Sequence, residues 1–189
     1  NIAAPIFMLV TGIALMFGIG ASVRASVSLA QGRVGEANRE ITMAMVVSVA
    51  VVTLFSALVI VNLDAVAYLF GSTHRLLPLV REYLLWVTLG MPFSCVLFSG
   101  MFYVRLDGAP KFAMWCEIIG ALLNIVLDLL FVAVFGMTTD GVAWATIIAQ
   151  GISGVLCVLK LRKMTHLIDL NRQALRMDKV IVQRVVKLG

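Results

Sequence analysis

Ile2 to Val23 contains no charged side chain, and neither does Ile41 to Leu63. Stretches of about 20 apolar residues match the hydrocarbon thickness of a bilayer at 1.5 Å of helix rise per residue. Three more follow: Tyr83 to Val104, Phe112 to Phe135 interrupted by Glu117 and Asp128, and Val142 to Leu161 charged only at Lys160. In hydrocarbon every backbone amide must find its partner within the segment, so these stretches are read as helices. Composition agrees: 61% of the 189 residues are hydrophobic and 13% charged, against about a quarter charged in soluble domains. The expected fold class is an all-α membrane protein with five transmembrane helices.

The basic residues orient the bundle under the positive-inside rule. Arg24, Arg33 and Arg39 follow the first span, Arg105 and Lys111 separate the third from the fourth, and eight more occupy Lys160 to Lys187. The alternate loops carry only Arg75 and Arg81. The segment is therefore expected to begin outside and to end in the cytoplasm. An odd number of spans, starting at Asn1, leads to the expectation that at least one further span precedes. Ile2 to Val23 is too long and wrongly flanked for a signal peptide.

Between the second and third spans, Asp64 to Phe70 followed by Gly71-Ser72-Thr73 reads as a short interfacial helix and a turn. Residues 1–163 form the transmembrane unit. Residues 164–189 form a basic cytoplasmic linker, in which Val182, Val185 and Val186 recur at helical spacing beside Lys179, Arg184 and Lys187. The pI near 9.5 reflects this one-sided distribution and contact with anionic lipid rather than nucleic-acid binding. His74 and His166 read as solvated loop residues, and Cys95, Cys116 and Cys157 as small core residues without metal-ligand spacing. No HExxH, flanked catalytic serine or phosphate-binding glycine loop occurs, and an intramembrane enzyme would need a second deep catalytic group. No enzyme activity and no cofactor are expected.

The polar residues inside the apolar spans carry the functional reading. A carboxylate at the centre of a span costs about 2.5–3.5 kcal/mol on insertion scales, whereas interhelical polar bonds average about 0.6 kcal/mol. Burial of Asp128 therefore asks for a role such as binding a cation or carrying a proton. Glu117, Ala121, Asn124 and Asp128 share one helix face by spacing, which is expected to face protein. The short turn Gly136 to Gly141 makes the fourth and fifth spans antiparallel neighbours. Counting inward from Phe135 and Gly141 puts Thr146 level with Asp128, and Gln150 level with Asn124. Their oxygens suit a hard cation such as Na⁺. Glu117 lies nearer the cytoplasmic end, with water or Lys111 as its partner. Pro92, beside Gly90, interrupts the third span's amide ladder and is a candidate hinge.

Three motifs occur in order along the chain. Gly32-Arg33-Val34-Gly35-Glu36-Ala37-Asn38 follows the first span, and Tyr103-Val104-Arg105-Leu106-Asp107-Gly108-Ala109-Pro110-Lys111 follows the third. Asn124-Ile125-Val126-Leu127-Asp128 then precedes Gly141-Val142-Ala143-Trp144-Ala145-Thr146. The ordered set resembles the multidrug and toxic compound extrusion (MATE) family over essentially the whole chain.

The resemblance implies twelve helices in two six-helix lobes, with this chain supplying the second through sixth helices of the amino-terminal lobe. It implies export of small organic, often cationic, compounds by alternating access, driven by inward movement of Na⁺ or H⁺. In the prokaryotic branch, and so in a bacterial or archaeal plasma (inner) membrane, it implies a cation site whose Asn, Asp and Thr match Asn124, Asp128 and Thr146. A further family Asp stands on the first helix, which precedes this chain. The implied partners are the bilayer, the organic substrate and a second lobe of the same chain. A lipid-linked oligosaccharide flippase of the same superfamily is the alternative, but would be expected to have a more basic cavity. A structural membrane subunit without transport is the other.

Overall fold

In the computed structural model, residues 4–163 are described together with Gln183 and Val185. The five expected spans are all helical. They are α1 (Ala4–Ala30), α2 (Val34–Val61), α4 (Leu77–Leu106), α5 (Pro110–Leu129) and α6 (Thr139–Lys163), with the short α3 (Leu63–Leu69) between α2 and α4. All five long helices have the length and apolarity to cross a bilayer, α5 together with a π-helical turn at Leu130–Val134 that continues it. Apart from Val185 and Gln183, the 164–189 linker lies outside the described residues. Val185 is helical and buried in the core cluster that contains Phe17, Tyr103 and Leu161.

The helices run past the uncharged stretches from which they were inferred. Charge limits how far a side chain enters lipid, not how far the backbone ladder extends, so α1 continues beyond Arg24 and α2 begins before Arg39. There Arg24 donates through Nε (3.2 Å) and Nη2 (2.9 Å) to Oε1 of Glu40, while Ser28 Oγ donates to its Oε2 (3.1 Å). Glu40 is only 3% exposed, so this pair clamps the end of the α1–α2 hairpin. The α4–α5 turn is equally local in origin. Gly108 adopts a left-handed φ of +83°, Ala109 N–H returns to Val104 O at 3.2 Å, and Pro110 opens α5 where no amide donor is needed.

α4 is the central helix and packs against α1, α2, α3, α5 and α6. Its hydroxyls fix it to α1: Ser99 Oγ donates to Ala14 O (3.2 Å) and Tyr103 Oη to Phe17 O (3.3 Å). One core cluster, around Phe17, Ile41, Tyr103 and Cys157, fills the half nearer the basic helix ends. A second, around Ile6, Val52, Leu84 and Met91, fills the other half. α5 stands apart, packed mainly on α6, with only Ala113 and Cys116 among its described residues fully buried. Trp86 and Trp144 pack at a 42° tilt with centroids 4.5 Å apart across α4 and α6 at the end away from the basic residues.

Candidate functional site

α5 and α6 are neighbours, as the short connection requires, and the polar residues of both turn toward α4. Asn124 and Asp128, four residues apart on α5, are half-buried. Asn124 Nδ2 donates to Thr146 Oγ1 at 3.3 Å, and the same hydroxyl donates to Val142 O one turn earlier on α6 at 3.0 Å. The Asp128 Oδ1 atom is buried without a hydrogen-bond partner. Tyr83 of α4 lies within electrostatic range of that carboxylate. A desolvated carboxylate oxygen with no donor is a costly arrangement for a group serving only as interhelical glue.

The expected register is corrected. Thr146 bonds Asn124 rather than lying level with Asp128, and Gln150, which lines a cavity with Asn124, makes its hydrogen bond to α4. The reason lies at the α5–α6 turn. α6 begins at Thr139, two residues before the Gly141 used as the origin for counting, and the α5 side ends in a π-helical turn rather than a regular one. Gln150 instead accepts a hydrogen bond through Oε1 from Ser94 Oγ of α4, a residue the sequence reading did not single out. Ser94 is a small hydroxyl residue inside an apolar span, and its Oγ stands over the i−4 carbonyl of its own helix. It lies 3.3 Å from Gly90 O.

The shared polar face holds only in part. Asn124 and Asp128 are half-buried, but Glu117 and Ala121 are exposed because the packed face of α5 runs through Ala113, Cys116, Gly120 and Asn124, one position to their side. Glu117 pairs with Arg105 Nη2 at 3.0 Å rather than with Lys111. α4 passes through Pro92 without a break in its helix. Gly90 beside it lies in tight contact with α6, since a Cβ there would meet Ile147 Cγ1 at 2.5 Å.

Two cavities border this region. One, of about 260 Å³, lies between α1, α4 and α6 and is lined by Phe7, Tyr83, Ser94, Thr146 and Gln150 among others. The other, of about 240 Å³, lies between α4, α5 and α6 and is lined by Glu117, Asn124, Thr146, Gln150 and Ser153 among others. Thr146 and Gln150 form the wall common to both. Amide and hydroxyl oxygens of Asn124, Thr146 and Gln150 thus line water-sized space, with the Asp128 carboxylate one helical turn from Asn124. That donor set is suited to a hard monovalent cation or a proton.

The chain resembles multidrug export protein MepA of Staphylococcus aureus, 22% identical over 189 residues, covering all of this chain and 42% of that protein. It is 23% identical over 185 residues to an FAD transporter of Shewanella oneidensis, covering 93% of this chain and 41% of the relative. Its fold matches an inward-facing multidrug resistance MATE family transporter of the MOP superfamily with a TM-score of 0.91 at 20% identity, over all of this chain and 43% of the other. The chain thus spans about two fifths of the length of the relatives it matches, and its helices form one lobe. The MatE family model matches residues 1–130, more than half of the sequence, and the protein belongs to the MatE family.

Proposed function

We propose that this lobe belongs to a cation-coupled exporter of small organic compounds, in which Asp128, with Asn124 and Thr146 beside it, takes up the driving Na⁺ or H⁺. The observation that carries the reading is the buried, partnerless Oδ1 of Asp128 one turn from the Asn124–Thr146 hydrogen bond. A proton or a sodium ion neutralises the same carboxylate, so the two compete, and occupancy changes the charge that faces α4. In lipid a charge change of that kind biases how helices pack, which is what couples ion entry to alternating access. Gln150 and Ser94 support the wall between the two cavities, Pro92 supplies a hinge in α4, and Glu117 stays at the basic end with Arg105. The basic ends of the helices face the cytoplasm of a bacterial or archaeal cell, and the second lobe completes the substrate path.

The test is efflux of a fluorescent cationic dye from vesicles carrying the full-length transporter under an imposed Na⁺ or pH gradient. Asp128→Asn, which keeps the shape and removes the charge, abolishes gradient-driven efflux while expression and thermal stability stay near wild type. Undiminished coupling in a well-folded Asp128→Asn protein overturns the assignment.

A further inference from the structure

Sulfur from three helices meets in the half of the bundle nearer the basic ends, away from the polar residues of the proposed ion site. Cys157 of α6 donates from Sγ to Met101 Sδ of α4 at 3.5 Å. The Cys116 thiol of α5 lies within hydrogen-bonding range of Cys157. All three side chains are buried, at 2%, 3% and 0% exposure for Cys116, Met101 and Cys157. Met45 of α2 closes the group from a fourth helix, since its methyl and Cys157 Cβ flank the same point beside Gly100, at 3.5 and 3.3 Å from where a Cβ would stand. No disulfide joins the cysteines.

We propose that Cys157, Cys116 and Met101 form a binding site for a soft monovalent cation, copper(I) or silver(I). Thiolate and thioether ligands select such ions over the hard cations that suit Asp128. Two sulfurs each about 2.3 Å from one metal, at trigonal or tetrahedral angles, stand about 3.8–4.0 Å apart. The 3.5 Å separation of Cys157 and Met101 is within a few tenths of an ångström of that, and the unbranched Met101 side chain opens the gap without moving its helix. A monovalent ion needs only one thiolate. The Cys157 thiol gives up its proton to bulk water as the S–M bond forms, so one positive charge replaces another and the buried unit stays neutral with Cys116 protonated. A divalent ion would stay neutral only if both buried thiols ionised, one more desolvated thiolate than a monovalent ion requires. No electron is transferred. The cavity lined by Glu117, Gly120 and Ser153 lies beside the group, since Ser153 Oγ bonds Cys116 O at 3.2 Å and Glu117 lies within electrostatic range of both thiols.

The experiment titrates copper(I), under anaerobic reducing conditions and against a chromophoric copper(I) chelator, into the full-length transporter purified in detergent. Wild type is expected to retain one more copper(I) per chain than Cys157→Ala, with metal–sulfur distances of about 2.3 Å by X-ray absorption. Met101→Leu keeps the packing volume and removes the thioether, and is expected to weaken binding at least about tenfold. Cys95→Ala, which changes a buried thiol beside Ser99 rather than beside sulfur, is expected to bind as wild type does. Equal copper retention by wild type and Cys157→Ala overturns the proposal. So does undiminished affinity in Met101→Leu, a variant whose fold does not depend on the thiols.

Discussion

Gly90 leaves no room for a methyl group, because its missing Cβ would sit 2.5 Å from Ile147 Cγ1. Gly90→Ala is expected to cost about 1–3 kcal/mol through overpacking between α4 and α6, seen as a lower unfolding midpoint in detergent. Ile147→Ala in the same chain should recover part of that loss, and additive losses would show that the contact is not the cause. Burial separates the two ion pairs in the same way. Glu40 is 3% exposed and accepts bonds from both Arg24 and Ser28, so Glu40→Gln should destabilise by about 1–3 kcal/mol. Glu117 and Arg105 have side chains 54% and 45% exposed, and Glu117→Gln should change stability by less than about 1 kcal/mol. Equal effects at the two sites would show that burial does not set their worth. Thr146→Ala removes one neutral oxygen from beside Asn124, so gradient-driven dye efflux should fall by less than in Asp128→Asn.

At the scale of the element, α4 combines rigidity and weakness. Ser99 and Tyr103 tie its basic half to α1, while Pro92 removes the amide that would bond Thr88 O farther along. Pro92→Ala restores that amide to a helix already continuous across the site. The expected result is unchanged or higher thermal stability with dye efflux slowed several-fold, and an unchanged rate would reduce Pro92 to a source of helix curvature. α5 is the contrasting case. Its apolar sequence announces a span, yet Ile118, Leu122, Ile125 and Leu129 are all exposed, because its packing is confined to one narrow face along α6.

For the whole molecule, alternation of the long helices places 24–40, 105–111 and 160–163 at one end, and the α2–α4 connection and the α5–α6 turn at the other. With the basic residues concentrated at the first end, single cysteines at Lys111 and Thr138 should label from the cytoplasmic and outer sides respectively. Cys95, Cys116 and Cys157 are buried and give little background. Labelling of Lys111→Cys from outside would invert the orientation.

The sequence alone determined the number and type of the long elements, the antiparallel α5–α6 pair and the short α3, because hydrocarbon length and obligatory backbone bonding leave so few alternatives. It also marked Asn124, Asp128 and Thr146, whose polarity conflicts with their apolar surroundings. Only the tertiary structure decided which of these side chains meet. The depth of Thr146 depends on where α6 starts and on the π-helical turn at Leu130–Val134, features set by the packing of a turn rather than by hydrophobic periodicity. Ser94 with Gln150, and the sulfurs of Cys116, Cys157 and Met101, are brought together in the same way, by helices whose rotation about their own axes is fixed only when small residues such as Gly90 and Gly120 let them close.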